Sequence, residues 1–221
     1  AADDVIIARD LRLVEVTGSS YHIQHLSTAT AVDMIAAAKA KGLPVTAEVT
    51  PHHLAFDHHA AEGTDPVYKM MPPLRSTDDR VALRQGLVDG TIDVVGTDHA
   101  PHADHEEEVP WEHAPNGVIG LEWAAAVVNT FAGLDQEAFY DRLSIAPARI
   151  GQIEGHGLVP AVGGPANLTV FDPNREWTPS TTLSKARNSP YLGLPLRGKP
   201  TVTDFHGTVT AVDGAVVSRG S

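Results

Sequence analysis

The feature that most constrains this chain is an order repeated three times: a short apolar run, a polar turn carrying histidine or aspartate, then a helical stretch. The runs are 20–26 (SYHIQHL), 44–49 (PVTAEV) and 92–96 (IDVVG). Apolar residues at Val5, Ile6, Ile7, Leu11, Leu13 and Val14, set among Arg9, Asp10, Arg12 and Glu15, predict an amphipathic helix over 5–16 that Gly18 stops. Thr28 is placed to cap a second helix over 29–41, closed by Gly42. A third covers 76–88, with Ser76 or Thr77 as cap and Asp78 and Asp79 in the first turn, where the helix dipole favours carboxylates. Further helical stretches fall near 119–131 and 136–143. The run IDVVG is largely apolar, as buried parallel strands tend to be. Strand and helix in alternation, with reactive side chains at the strands' carboxyl ends, is the order of a (β/α)8 barrel. Three units cannot close such a barrel, which takes roughly 250 residues. The chain therefore reads as part of a barrel with a tail, or as an open α/β sheet.

A different grammar begins after Gly151. Gly157, Gly163, Gly164, Gly193, Gly198, Gly207 and Gly214 punctuate the short runs LTVF, TVTDF, TVTAV and AVVS, which is strand-and-turn texture. The expected division is 1–152 for the barrel-like part and 153–221 for a small β-rich subdomain. The chain opens Ala1-Ala2-Asp3-Asp4 without methionine and runs at once into a helical pattern, so an upstream region is expected to be missing.

Composition narrows the function classes. A formal net charge of −12 argues against nucleic acid or an anionic membrane as the main partner, because both need Lys/Arg patches. An anionic small substrate stays open, since a local site can bind one. There is no apolar stretch of about 18 residues for a membrane span and no signal segment. The chain has no cysteine, which removes disulfides and thiolate metal sites and fits a cytoplasmic enzyme.

Its 12 histidines are grouped, and the groups differ in promise. His25 ends the first run, where alternation puts Tyr21, Ile23 and His25 on one face and His22 and Gln24 on the other. It is either a buried histidine held by backbone groups or a metal ligand through neutral imidazole. Asp98 follows the third run and is either a turn cap or a carboxylate on the face where barrel active sites form. His52 and His53, adjacent after Thr50-Pro51, read as structural or supporting residues. His58, His59 and the run His105-Glu106-Glu107-Glu108 read as solvated loop residues. Arg75, after the extended Pro72-Pro73-Leu74, either binds a carboxylate or lies on the surface.

In order, HIQHLST, AEVTPHHL, YKMMPPLRSTDDR, DGTIDVVGTDHAPH and EHAPNGVIGLE resemble the second half of the long-chain bacterial dihydroorotases of the amidohydrolase superfamily. The tail, with GLVPAVGGPANLTVFDP and GTVTAVDGAVV, is similar to that superfamily's small β-subdomain. The resemblance implies strands 6–8 of a (β/α)8 TIM barrel followed by that subdomain. It implies that His25 and Asp98 are metal ligands, that Asp98 is also the catalytic proton carrier, and that His102 binds substrate. Asn116-Gly117 match a Phe-Gly pair whose backbone meets the substrate, and Met71 stands where the family usually has an asparagine against the pyrimidine ring. The cofactor implied is one or two Zn2+, with the remaining ligands upstream of this chain. The reaction implied is reversible hydrolysis of dihydroorotate to N-carbamoyl-L-aspartate in pyrimidine biosynthesis. A homo-oligomer, or association with aspartate carbamoyltransferase, belongs to the same expectation. The alternatives are another cyclic amidohydrolase (hydantoinase or allantoinase) and a non-catalytic scaffold of dihydroorotase type.

Overall fold

The computed structural model describes residues 2–217, so the last residue of the AVVS run, Ser218, lies outside the described residues. The chain starts with helix α1 (Ala2–Thr17), whose buried Ile7, Leu11 and Val14 recur every three to four residues and so share one face. Val5, Ile6 and Leu13, read from sequence as part of the apolar stripe, are exposed. Then follow β1 (Tyr21–Ile23), α2 (Ala29–Ala40), β2 (Val45–Val49), the short helix α3 (Pro51–Ala55), α4 (Thr77–Asp89) and β3 (Val94–Val95). Thr28 caps α2 by accepting from the Ala31 N–H at 3.1 Å. Ser76 and Asp79 form a reciprocal capping box at the start of α4, a device worth about 1 kcal/mol. Gly90, left-handed at φ 87°, ends that helix.

β1, β2 and β3 form a parallel sheet in sequence order, with Tyr21 opposite Val45 and Val49 opposite Val95. The strands are shorter than the apolar runs suggest, because single backbone bonds carry the ladder onward. The Leu26 N–H donates to Glu48 O, Asp93 N–H to Ala47 O and Gly96 N–H to Val49 O, at 3.0, 3.0 and 3.1 Å. Asp93 Oδ2 also accepts from Lys39 Nζ at 2.7 Å and from the Ala47 N–H at 2.8 Å, which pins α2, β2 and β3 together. The core between sheet and helices includes Ile35, Ala47, Val49, Leu54, Leu87 and Ile92, all without solvent exposure. Truncating one such leucine to alanine costs about 2–5 kcal/mol.

Beyond β3 come α5 (Asp104–Glu107), α6 (Ala124–Phe131), α7 (Gln136–Tyr140), one π turn (141–145) and α8 (Ala146–Ile150). The stretch 119–123, expected to be helical, is instead extended and turned. The Ile119 N–H bonds to Asn188 O at 3.0 Å, and His99 bridges to Val118. Tertiary pairing there overrides local propensity. The segment after Pro51 makes one helical turn, in which the Thr50 hydroxyl accepts from the His53 N–H at 3.2 Å. The tail forms an antiparallel sheet β4 (Leu168–Trp177), β5 (Leu196–Phe205), β6 (Thr208–Val212) and β7 (Ala215–Val216). It is fastened to α6, where Asn129 and Thr130 donate to Arg197 O at 2.8 and 3.2 Å. Gly198 sits at this junction with φ 99°, and a Cβ there would lie 2.5 Å from the Phe171 ring. Only glycine suits that position.

Candidate functional site

The site lies where the parallel strands end. His25 and Asp98 both adopt left-handed backbone, with φ of 54° and 45°. That conformation is uncommon for a residue with a Cβ, and such strain, about 1–3 kcal/mol each, collects at functional sites. β1 has already ended at Ile23, so the alternation expected to separate His22 from His25 does not hold. The left-handed turn brings both histidines to the same carboxylate. Glu48 Oε1 lies 2.8 Å from His25 Nδ1 and Glu48 Oε2 lies 3.2 Å from His22 Nε2. The first contact is an ion-pair approach bent away from ideal hydrogen-bond alignment. His22 Nδ1 continues the chain to Thr46 Oγ1 at 2.8 Å. On its other side, His25 Nε2 faces Asp98 Oδ1 at 3.6 Å.

Electrostatics follow from this geometry. Contact with the Glu48 carboxylate holds the His25 imidazole above its ordinary value, against burial, and Asp98 adds to the effect. Burial pushes Glu48 up, but its bonds to His25 and His22 outweigh that and leave it below the usual carboxylate range. Two donor atoms each about 2.0–2.2 Å from a tetrahedral zinc stand about 3.4 Å apart. The 3.6 Å between His25 Nε2 and Asp98 Oδ1 therefore fits a shared ion. A carboxylate on the far ring nitrogen of a ligating histidine is also usual in such sites. Among the described residues, no third histidine or carboxylate completes a three-donor set around this pair. Asp57, His58 and His59 do cluster, but Asp57 is already engaged. Its Oδ1 accepts from His59 at 3.0 Å, and its Oδ2 takes Thr77 at 2.8 Å and Arg80 at 3.2 Å.

His52 and His53 are both 2% exposed. His53 Nε2 donates to Pro72 O at 3.0 Å, so its Nδ1, 2.7 Å from Thr50 Oγ1, accepts from that hydroxyl. Burial pushes His53 down to about 4 and His52 well below its ordinary value, so both are neutral. His53 thereby ties α3 to the Pro72 turn. Arg75 finds its carboxylate within the chain, with Nη2 2.6 Å from Asp3 Oδ2 at the start of α1.

The loop residues form a second group, built on Asn188. This buried side chain accepts from the His102 N–H at 3.3 Å and donates to Ala100 O at 2.9 Å and Gly117 O at 3.1 Å. His102 Nδ1 bonds to Glu107 Oε1 at 2.7 Å. Gly117 has φ 113°, a Cβ there would meet Ala100 at 2.8 Å, and its N–H donates to Lys69 O at 2.8 Å. Asn116 is exposed, and Met71, two residues beyond Lys69, is 62% exposed. Two members of this framework were not singled out from sequence. Glu48 left a signal, as the one charged residue in PVTAEV. Asn188 left none, since its partner His102 is 86 residues away.

No family model matches the chain. Individual relatives do. A dihydroorotase of Streptomyces coelicolor is 46% identical over 219 residues, covering 96% of this chain and 51% of the relative. One of Leifsonia xyli is 46% identical over 222 residues, covering 98% and 51%. Among solved structures, an L-hydantoinase (dihydropyrimidinase) from Arthrobacter aurescens superposes with a TM-score of 0.88 at 30% identity, over 97% of this chain and 50% of that one. A D-hydantoinase (dihydropyrimidinase) from Thermus sp. gives 0.85 at 33% identity, over 96% and 49%. The chain spans about half the length of the curated relatives it matches. A parallel α/β layer ending in histidine and aspartate, with an antiparallel tail, is thus part of a TIM barrel of the cyclic-amide amidohydrolases. Within that class the chain matches dihydroorotases, consistent with a carboxy-terminal portion of such a protein.

Proposed function

We propose that the protein containing this chain hydrolyses a cyclic amide, reversibly opening dihydroorotate to N-carbamoyl-L-aspartate in the cytoplasm. The observation that carries the reading is the approach of His25 Nε2 to Asp98 Oδ1, 3.6 Å apart at the ends of β1 and β3. Bound there, one or two zinc ions would polarise the amide carbonyl and acidify the attacking water. His25 and Asp98 would supply two of the ligands, and residues outside this chain the others. Asp98 also takes the proton of the attacking water and returns it to the leaving amide nitrogen. His102, with the backbone at Asn116-Gly117 and the Met71 segment, holds the substrate at near-attack distance. We place the division between barrel and β-subdomain near residue 152.

The hydantoinases among the structural neighbours favour a second substrate, a hydantoin ring. The higher identity to dihydroorotases, 46% against 30–33%, favours the first. A homo-oligomer or an aspartate carbamoyltransferase partner belongs to the same proposal. The test is to assay the complete protein on dihydroorotate, hydantoin and allantoin, and the 221-residue chain alone for bound zinc and turnover. We expect dihydroorotate to be preferred by the complete protein, and weak zinc with no turnover from the chain alone. A catalytic zinc usually needs three protein ligands. Stoichiometric zinc with turnover from the isolated chain would overturn the two-ligand assignment. A complete protein inert on all three rings would favour the scaffold.

A further inference from the structure

Glu48 is a carboxylate only 9% exposed in a strand whose neighbours Ala47 and Val49 are fully buried apolar residues. A buried charge is costly unless paired, and packing alone gives no reason for one here. The surroundings are shaped to admit it. Gly96 lies against the carboxylate, and a Cβ there would stand 2.6 Å from Glu48 Cδ and Oε1. The carboxylate is then gripped from β1's end by two rings, His25 Nδ1 at 2.8 Å and His22 Nε2 at 3.2 Å. His25 Nδ1 is sealed from solvent, and Glu48 Oε1 is the acceptor within its reach.

We propose that Glu48 is a positioning residue that keeps the proton of His25 on Nδ1, beside its Oε1, and so leaves the bare Nε2 directed at Asp98. The chemical consequence is a fixed tautomer. An imidazole has one donor and one acceptor nitrogen when neutral, and the partner of one decides the role of the other. Without the carboxylate, the ring is free to protonate at Nε2, the nitrogen that faces Asp98, and that form cannot donate its lone pair to a metal. His22, itself held at Nδ1 by Thr46 Oγ1, supports the arrangement by meeting the second oxygen of Glu48. This rests on reading His25 and Asp98 as metal ligands, but its primary readout does not require a metal.

The experiment is long-range 1H–15N spectroscopy of the histidine-labelled chain at alkaline pH, where the rings are neutral, with the His25 signals assigned by their loss in His25→Gln. The expected result is the Nδ1-protonated tautomer for His25 in the parent and in Glu48→Gln, whose amide oxygen still accepts. Glu48→Ala should shift His25 toward the Nε2-protonated form. In the complete protein, Glu48→Ala should also weaken zinc about 10–100-fold, and Glu48→Gln should recover part of that loss. An unchanged His25 tautomer in a folded Glu48→Ala chain overturns the proposal. If Glu48→Ala does not fold, an Nε2-protonated His25 in Glu48→Gln does the same. A tautomer shift in a protein that hydrolyses none of the cyclic amides would remove the hydrolase reading and leave the positioning role standing.

Discussion

Gly96→Ala tests the packing around Glu48 without touching either residue of the proposed metal pair. Gly96 does not adopt left-handed backbone, so alanine meets no strain in the main chain. The cost arises at its Cβ, which would stand 2.6 Å from Glu48 Cδ and Oε1 and 2.7 Å from Oε2. Those atoms end a flexible side chain, so the carboxylate withdraws and the strands stay in place. Withdrawal loses the approach to His25 and the hydrogen bond to His22, and one hydrogen bond to a charged group is worth about 1.5–3 kcal/mol. Against this, replacing glycine by alanine at a compatible backbone stabilises by about 0.4–1 kcal/mol through the unfolded chain. The net expectation is a loss of about 0.5–2.5 kcal/mol. In a Glu48→Ala background the clash is gone, and Gly96→Ala should be neutral or slightly stabilising. The assay is denaturant unfolding of all four proteins followed by circular dichroism, which yields the coupling energy of the pair. An equal cost in both backgrounds, within about 0.5 kcal/mol, would refute the reasoning.

Other expectations follow from the same contacts. His53, held down to about 4 against an ordinary 6.5, takes up its proton in the unfolded chain first. Its contribution of about 3 kcal/mol is complete above pH 6.5 and lost as pH falls through about 4; stability curves of the parent and His53→Gln that stay parallel over that window would sink this. Asn188→Ala leaves the carbonyls of Ala100 and Gly117 without their side-chain donor, at about 1–3 kcal/mol. Amide exchange at His102 should quicken with it, and unchanged protection there counts against the hub. Met71→Asn in the complete protein should lower KM for dihydroorotate or leave it unchanged, with little effect on kcat; a large rise in KM would mean that the site is rebuilt around the methionine.

What could be read from the sequence was periodic or local. The three strand positions, the caps at Thr28 and Ser76 and the change of texture after Gly151 each rest on residues a few positions apart, and the folded elements follow them. Strand ends were read less well. Gln24 and His25 continue the apolar run in sequence, but the chain turns left-handed at His25, and a φ sign is invisible in a residue that is not glycine. That single turn is why His22 and His25, assigned to opposite faces, meet on Glu48. The 119–123 segment has a helical pattern in sequence, but its partners, His99 and Asn188, come from distant stretches and hold it out of helix. Glu48 was legible in principle as a charge inside an apolar strand, whereas Asn188 was not.

The left-handed backbone at His25 and Asp98 bears on what these residues are for. A turn out of a parallel strand needs no side chain, and glycine would take φ near 50° without strain. The chain uses glycine at many such turns, as at Gly90 after α4 and at Gly117 against Ala100, although Thr64, Gln152, His206 and Asp213 are left-handed as well. At the ends of β1 and β3 it instead keeps an imidazole and a carboxylate, at a cost of about 1–3 kcal/mol each. Neither side chain makes up that cost through burial, since they are 25% and 31% exposed. Their mutual contact at 3.6 Å is too long for a hydrogen bond. His25 is also met by Glu48, but the two strained groups face one another, as a pair gripping the proposed metal ion would. A metal ion between them is the simplest occupant consistent with that spacing.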